Sequence, residues 1–244
     1  LGKALGDDAP SVRRRAAWAL GQIEDDTALP LLDRVLRDPD REVRRMAMWA
    51  IGGIESAKGV PLLRGAVTDP DPEVRQMAVW ALGEIEDASA VDVLRPLAKD
   101  ADARVRQMAA WALGEIEHAS AVTVLGPLVN DATPDVQLTA IWALGEIESA
   151  DAVPVLAPAL KHRNAGVRRM AAWALGEIES ARAVPMLTPL LSDPDEEVRA
   201  IVAWALGEIE SGAALAALEA ARDDRSPNVR RAVRWAIAQL DDRR

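Results

Sequence analysis

Apolar and polar positions along this chain follow a pattern that recurs every 31 residues. In residues 71–86 the apolar positions Val74, Ala78, Ala81, Leu82 and Ile85 fall at i, i+4, i+7, i+8 and i+11, the stripe of one buried helical face. Asp71 stands just ahead of it and Pro72 follows. That is a helix start: the aspartate accepts from free N–H groups, and proline forfeits a bond that the first turn does not make. The column of Asp71 also holds Asp40, Asp102, Thr133, Asn164, Asp195 and Ser226, all read as N-caps, and Pro134 and Pro227 repeat the proline. A second apolar run, Val91, Leu94 and Leu97, predicts a partner helix ending near Asp100. Each repeat is therefore a helix pair, with eight copies of the first helix and seven complete copies of the second. Such a pair cannot bury its apolar face alone, so neighbours must stack. The expected fold is all-α: a right-handed α-solenoid of stacked helix pairs forming one elongated superhelical domain over residues 1–244.

Eight tryptophans supply every aromatic side chain, at Trp18, Trp49, Trp80, Trp111, Trp142, Trp173, Trp204 and Trp235, with no insertion between them. At about 100° per residue, Trp80 points roughly 140° away from the core stripe. Beside it lie Gln76, Met77 and Glu84. Two readings of this column stand together. Gly21, Gly52, Gly83, Gly114, Gly145, Gly176 and Gly207 each follow a tryptophan by three residues. A mid-helix glycine costs about 1 kcal/mol, so seven imply the close approach of something large, and a neighbouring repeat's indole is the natural occupant. The other reading is a binding groove. Trp-x-x-x-Glu sets an indole and a carboxylate on adjacent turns of one face. An Arg or Lys stem between indoles would gain about 1–2 kcal/mol per site. The candidate partner-binding residues are Trp49, Trp80, Trp111, Trp142, Trp173 and Trp204, with Gln76, Gln107, Met77, Met108 and Met170. The carboxylates beside them are Glu84, Glu115, Glu146, Glu177 and Glu208.

Two further patterns bear on packing. Pro96, Pro127, Pro158 and Pro189 fall about two turns into the second helix, where proline removes a hydrogen bond and bends the axis. Asp69 and Arg75 recur as Asp7/Arg13, Asp38/Arg44, Asp100/Arg106, Asp193/Arg199 and Asp224/Arg230. This i, i+6 pair spans the turn and predicts a ladder of charge-assisted hydrogen bonds between repeats. The ladder fails at Gln137 and at His162, which makes the middle of the array its expected soft point.

The recurring Asp-Pro-x-Val-Arg-x-x-Ala-x-x-Ala-Leu-Gly-x-Ile resembles the short bacterial form of the HEAT-like repeat family. The likeness covers essentially the whole chain; residues 69–85 and 193–209 fit best, and 130–147 depart most. It implies that Gln76, Met77, Trp80 and Glu84 lie on a concave, partner-binding face. Similar repeats occur in bilin lyases, in artificial binding scaffolds, and as appendages to bacterial signalling and peptidase proteins, so the resemblance speaks for fold and hardly for function. By convergence, Trp-x-x-x-Glu is similar to the Trp-x-x-x-Asn ladder of armadillo-repeat nuclear import receptors, which hold extended basic peptides. Glu in place of Asn favours cations more strongly.

Composition narrows the chemistry. The net charge is −10, with 25 Arg against 4 Lys, and an acidic surface repels phosphate backbones. There is no Cys, and the two histidines, His118 and His162, occupy different repeat positions. The recurrent Glu-Ile-Glu sets two carboxylates on roughly opposite sides of a helix, a poor acid/base dyad. No nucleophile–base set, phosphate loop or metal spacing appears, so no enzyme activity, metal or cofactor is expected. No apolar run approaches a membrane span. The terminal repeats carry Arg14, Arg15 and Gln22 at one end and Arg231, Arg234 and Gln239 at the other, read as the polar caps of a solenoid or as a basic patch for a second partner. The opening at Leu1 reads as the end of a truncated helix, hence a fragment of a longer protein. The expectation is a non-enzymatic scaffold binding an extended cationic or amphipathic protein segment, either a separate protein or a missing segment of the same one. The alternatives are a bilin-lyase-type HEAT-like enzyme subunit, and a structural spacer or self-assembling array that forms homo-oligomers through its ends. Nucleic acid and membrane insertion are not expected. Localisation stays open, with the cytoplasm slightly favoured.

Overall fold

A computed structural model describes residues 1–241, so the last three residues of the expected array lie outside the described residues. Among the described residues all regular structure is helical. Eight long helices carry the tryptophans: α1 (Pro10–Gly21), α2 (Arg41–Gly52), α3 (Pro72–Glu84), α4 (Ala103–Glu115), α5 (Pro134–Glu146), α6 (Ala165–Glu177), α7 (Glu196–Glu208) and α8 (Pro227–Asp241). The chain divides into two compact units, Leu1–Val124 with α1–α4 and Leu125–Arg244 with α5–α8. Within each unit consecutive long helices pack on one another.

The apolar stripe is the core. Val74, Ala78, Ala81 and Leu82 are fully buried, as are the matching Val198, Ala205 and Leu206 of α7. Val91, Leu94 and Leu97 cover the stripe from the second segment of their repeat. Each buried Leu contributes about 1.5–3 kcal/mol. A second buried column lies beside the tryptophans: Met48, Val79 and Ala110 in the first unit, Ile141, Ala172 and Ala203 in the second. Val79 sits one turn before Gly83, on the side of α3 that meets α4. Helix α3 is thus sealed on two sides, one toward its own repeat and one toward α4.

The caps follow the sequence in five of seven places. Asp40, Asp71, Asp102, Asn164 and Asp195 accept backbone N–H groups of the first turn. Thr133 stands at the cap position without a side-chain cap bond, and the buried Ser226 hydroxyl has no hydrogen-bond partner. Where Pro96 stands, the second helix is not bent but broken. Ala90–Leu94 is α-helical and Leu97–Lys99 is 3-10, with Pro96 between them. Val60–Leu63 and Ala66–Thr68 break in the same way around Gly65, so proline is one way of making the break and not its sole cause.

The Asp/Arg ladder exists, but its register differs from the i, i+6 expectation. Arg75 donates from Nε and Nη2 to Asp100 Oδ2 and Oδ1, both at 2.8 Å, a bidentate pair that reaches 25 residues ahead into the next repeat. Its Nη1 donates to the Asp69 carbonyl oxygen at 2.8 Å, so the residue six back supplies backbone and not carboxylate. Asp100 Oδ1 also accepts the Asp102 N–H at 2.8 Å, tying the rung to the next cap. The same rung forms at Arg13–Asp38, Arg44–Asp69, Arg168–Asp193 and Arg199–Asp224. Burial works to raise the Asp100 carboxyl, but the Arg75 hydrogen bonds, the Asp102 N–H and two nearby arginines outweigh it and hold it below the ordinary aspartate range. Gln137 and His162 now prove to be one missing rung and not two, since they occupy the Arg and Asp places of the same i, i+25 pair. Gln137 Nε2 turns to the Val129 carbonyl at 2.7 Å, and His162 Nδ1 accepts the Asn164 N–H at 3.1 Å.

The Glu-Ile-Glu motif has a backbone role that its helical-wheel reading misses. Its second glutamate is left-handed in every repeat that carries one, including Glu86 (φ 50°), Glu117 (φ 48°) and Glu148 (φ 50°), and Glu24, Glu55, Glu179 and Glu210 share the conformation. The Glu86 N–H bonds the Gly83 carbonyl at 3.0 Å and closes the helix. Helix ends of this kind favour glycine, which has no Cβ to strain. Nothing in the structure explains why glutamate stands there.

Candidate functional site

The indole face is built by the position of each tryptophan on its helix and by the glycine of the helix before it. A Cβ added to Gly52 would lie 3.0 Å from Cζ3 of Trp80, and one on Gly83 would lie 2.8 Å from Cζ3 of Trp111. In the second unit the same construction at Gly145, Gly176 and Gly207 meets Trp173, Trp204 and Trp235 at 3.0, 2.6 and 2.6 Å. Contacts at or below about 3 Å are not sustained by real side chains, so the six-membered edge of each of these five indoles occupies a place that only glycine leaves open. Trp18, with no earlier long helix's glycine beneath it, is 50% exposed. The other seven are half-buried. One edge of Trp80, Trp111, Trp173, Trp204 and Trp235 is therefore a spacer between helices, and part of each ring stays open.

Every residue assigned to the face from sequence lies where it is partly open. Gln76, Met77, Trp80 and Glu84 on α3, and Gln107, Met108, Trp111 and Glu115 on α4, are all half-buried, as are Trp49 on α2, Met170, Trp173 and Glu177 on α6, and Trp204 and Glu208 on α7. Trp142 and Glu146 on α5 share that environment. Each set spans two helical turns around its tryptophan, which is why a fixed 31-residue spacing places like beside like within a unit.

The electrostatics of the face are one-sided. Burial first, and then the carboxylates of Glu55, Glu115 and Glu86, push the Glu84 carboxyl above the usual glutamate value. Glu177 is raised in the same way, by burial and by Glu146, Glu208 and Glu148, while the nearby Trp173 indole pulls in the opposite direction. The face is thus a set of aromatic rings beside carboxylates that repel one another.

Two features escaped the sequence reading. Arg45 and Arg169, in the Gln76 column, are held by acidic groups: Arg45 Nη1 reaches Glu42 at 3.3 Å and Glu73 at 3.4 Å, and Arg169 pairs with Glu197. A notch of about 330 Å³ opens in the second unit between Trp142 and Trp173, with Met170, Ile201 and Arg169 completing it. The sequence hardly signals it: Ile201 departs from the methionine column, but so does Thr139, which does not line the notch. Two larger cavities, about 640 and 670 Å³, open elsewhere and are lined by ladder residues such as Asp38, Arg44 and Asp69, or Arg199 and Asp224, whose charged ends are already paired. Among the described residues no group of three or more His, Asp or Glu is placed to hold a metal ion, and no helix is long and apolar enough to cross a membrane.

Comparison with known proteins reinforces the fold. The family profile described as HEAT repeats matches residues 1–69, 30–113, 60–136, 122–192 and 155–238. Among solved structures, an engineered protein is 26% identical with a TM-score of 0.64, covering 98% of this chain and 77% of its own. The complex of CpcE and CpcF of phycocyanin lyase from Nostoc is 24% identical with a TM-score of 0.54, covering 87% and 94%. Human deoxyhypusine hydroxylase is 24% identical over 99% and 94%, with a TM-score of 0.46. No curated protein sequence matches the chain.

Proposed function

Because the chain belongs to the HEAT-repeat family, we propose that it is a non-enzymatic interaction scaffold that binds an extended, cationic or amphipathic protein segment along its Trp/Met/Glu face. The observation that carries this reading is the pairing of partly open indole surface with a neighbouring carboxylate, as at Trp80 and Glu84, where burial and the carboxylates of Glu55, Glu115 and Glu86 raise the Glu84 carboxyl. Assembling like charges on an apolar face costs stability, and a bound cation removes that cost. The indole supplies the second half of the recognition: an Arg or Lys stem laid on its face gains cation–π attraction while its head meets the glutamate. Because five successive repeats, from Trp80/Glu84 to Trp204/Glu208, carry the same group, an extended segment would meet the contacts in series. The likeness to the phycocyanin lyase complex is one of fold, and no lyase chemistry is carried over to this chain.

A fluorescently labelled Arg-rich peptide, titrated by anisotropy, tests the proposal, with a Glu-rich peptide of equal length as control. The Arg-rich peptide should bind, weaken with added salt, and weaken again in Glu84→Gln/Glu115→Gln. Equal binding by both peptides, or no loss in the double variant, would remove the face from consideration.

A further inference from the structure

The geometry points to an apolar anchor site within the face: the notch between Trp142 and Trp173 takes one large aliphatic side chain of the bound segment, which makes the ligand amphipathic and not uniformly basic. This rests on the proposed function and specifies its ligand. The walls of the notch are the carbon surfaces of two indoles, with Met170 and Ile201 closing it, and its volume of about 330 Å³ lies at the small end of ligand pockets, roughly 300–1,000 Å³. A polar group seated there would find no hydrogen-bond partner among those four side chains apart from the indole N–H groups. A cation is disfavoured for a second reason. No carboxylate lines the notch, and the one charged side chain at its rim, the Arg169 guanidinium, is a cation already paired with Glu197 of α7.

The surroundings have the opposite preference. Glu177 lies one turn beyond Trp173 on α6, raised by burial and by the carboxylates of Glu146 and Glu208 on the neighbouring helices. Charge complementarity therefore assigns basic residues to the positions flanking the anchor. An aliphatic side chain between half-buried indoles, shielded by a polar rim, is the arrangement in which one residue dominates an interface.

Two peptides of equal length and charge separate the outcomes, one with Leu at the centre of a basic segment and one with Ala there. Isothermal titration should show the Leu peptide binding about tenfold more tightly, as expected for burying one large aliphatic side chain. That preference should vanish in Ile201→Asp, and also in Met170→Ala/Ile201→Ala should the aspartate variant lose its helical circular dichroism. Equal affinities for the two peptides would overturn the anchor site while leaving a cation-binding face intact. Failure of both peptides to bind would remove the proposed function itself. A Leu preference that persists in folded Ile201→Asp would place the anchor elsewhere and overturn the assignment. So would a concentration-dependent dimer of the free protein lost in the same variant, because a second copy would then be the occupant.

Discussion

Gly176→Ala sets two effects of opposite sign against each other. Gly176 lies in the last turn of α6, and alanine is better than glycine within a helix by about 1 kcal/mol. Against this, the new Cβ would lie 2.6 Å from Trp204 Cζ3, 3.0 Å from Ala205 Cβ and 3.1 Å from Ala205 Cα. Two of these partners belong to the Ala205 backbone and its first carbon, and the third to a rigid ring, so none yields by rotating a flexible end. Overpacking of this kind costs about 1–3 kcal/mol, and more than one close contact puts the case in the upper part of that range. The net expectation is a loss of about 1–2 kcal/mol. Gly65→Ala is the control, because nothing lies within 4 Å of a Cβ there and the same substitution should stabilise by up to about 1 kcal/mol. Urea unfolding followed by circular dichroism gives the difference. Hydrogen exchange of α6 and α7 localises it, since repeats need not unfold together. In a double-mutant cycle with Trp204→Ala, the cost of Gly176→Ala should fall by about 1 kcal/mol, the part owed to the ring. If Gly176→Ala stabilises as much as Gly65→Ala, the indole is not seated on that glycine and the spacer geometry is wrong.

Gln137→Arg alone should leave stability unchanged or lower, because the i+25 partner is His162, whereas Gln137→Arg/His162→Asp should gain about 1–2 kcal/mol by restoring a bidentate rung. A full gain from Gln137→Arg by itself would favour pairing with Asp131, six residues back. Glu117→Gly should stabilise by about 1 kcal/mol, by relieving a left-handed glutamate at the end of α4, as read from thermal melts. The pH response has two parts of opposite sign. Glu84 and Glu177 have raised carboxyls, so their protonated forms are favoured by folding; acidification from neutrality toward the ordinary glutamate value of 4.5 should leave stability level or slightly higher. Asp38, Asp100 and Asp193 are held below the ordinary value of 3.8, so the ladder's contribution persists above that pH and is lost as pH falls through their lowered values. Melting temperature measured from pH 7 to pH 3 checks both, and a steady fall from pH 7 to pH 5 would contradict the first.

The period of the apolar stripe was enough to read the long helices, because each buried face needs its own i, i+4, i+7 series and nothing else in the chain supplies one. It was also enough to place the tryptophans off that stripe, since helical direction is a matter of counting. Contacts between repeats were harder. The Arg75–Asp100 pair lies 25 residues apart in sequence, and the nearer Asp69 offered a simpler partner; only the stacking shows that Asp69 contributes its carbonyl. The left-handed glutamates were hidden because that conformation is expected of glycine. The notch at Ile201 was invisible for another reason: it is a local departure from the repeat, and a reading built on regularity averages such departures away.

The indole face itself is tested most directly by proton–nitrogen NMR of the eight tryptophan Nε1–H groups during titration with an Arg-rich, Leu-centred peptide. Binding along the face predicts saturable shifts for Trp80 and Trp111 in the first unit and for Trp142, Trp173 and Trp204 in the second, the largest at Trp142 and Trp173, all weakened by salt. Binding that leaves these five indoles unmoved, or no binding up to millimolar peptide, would contradict it.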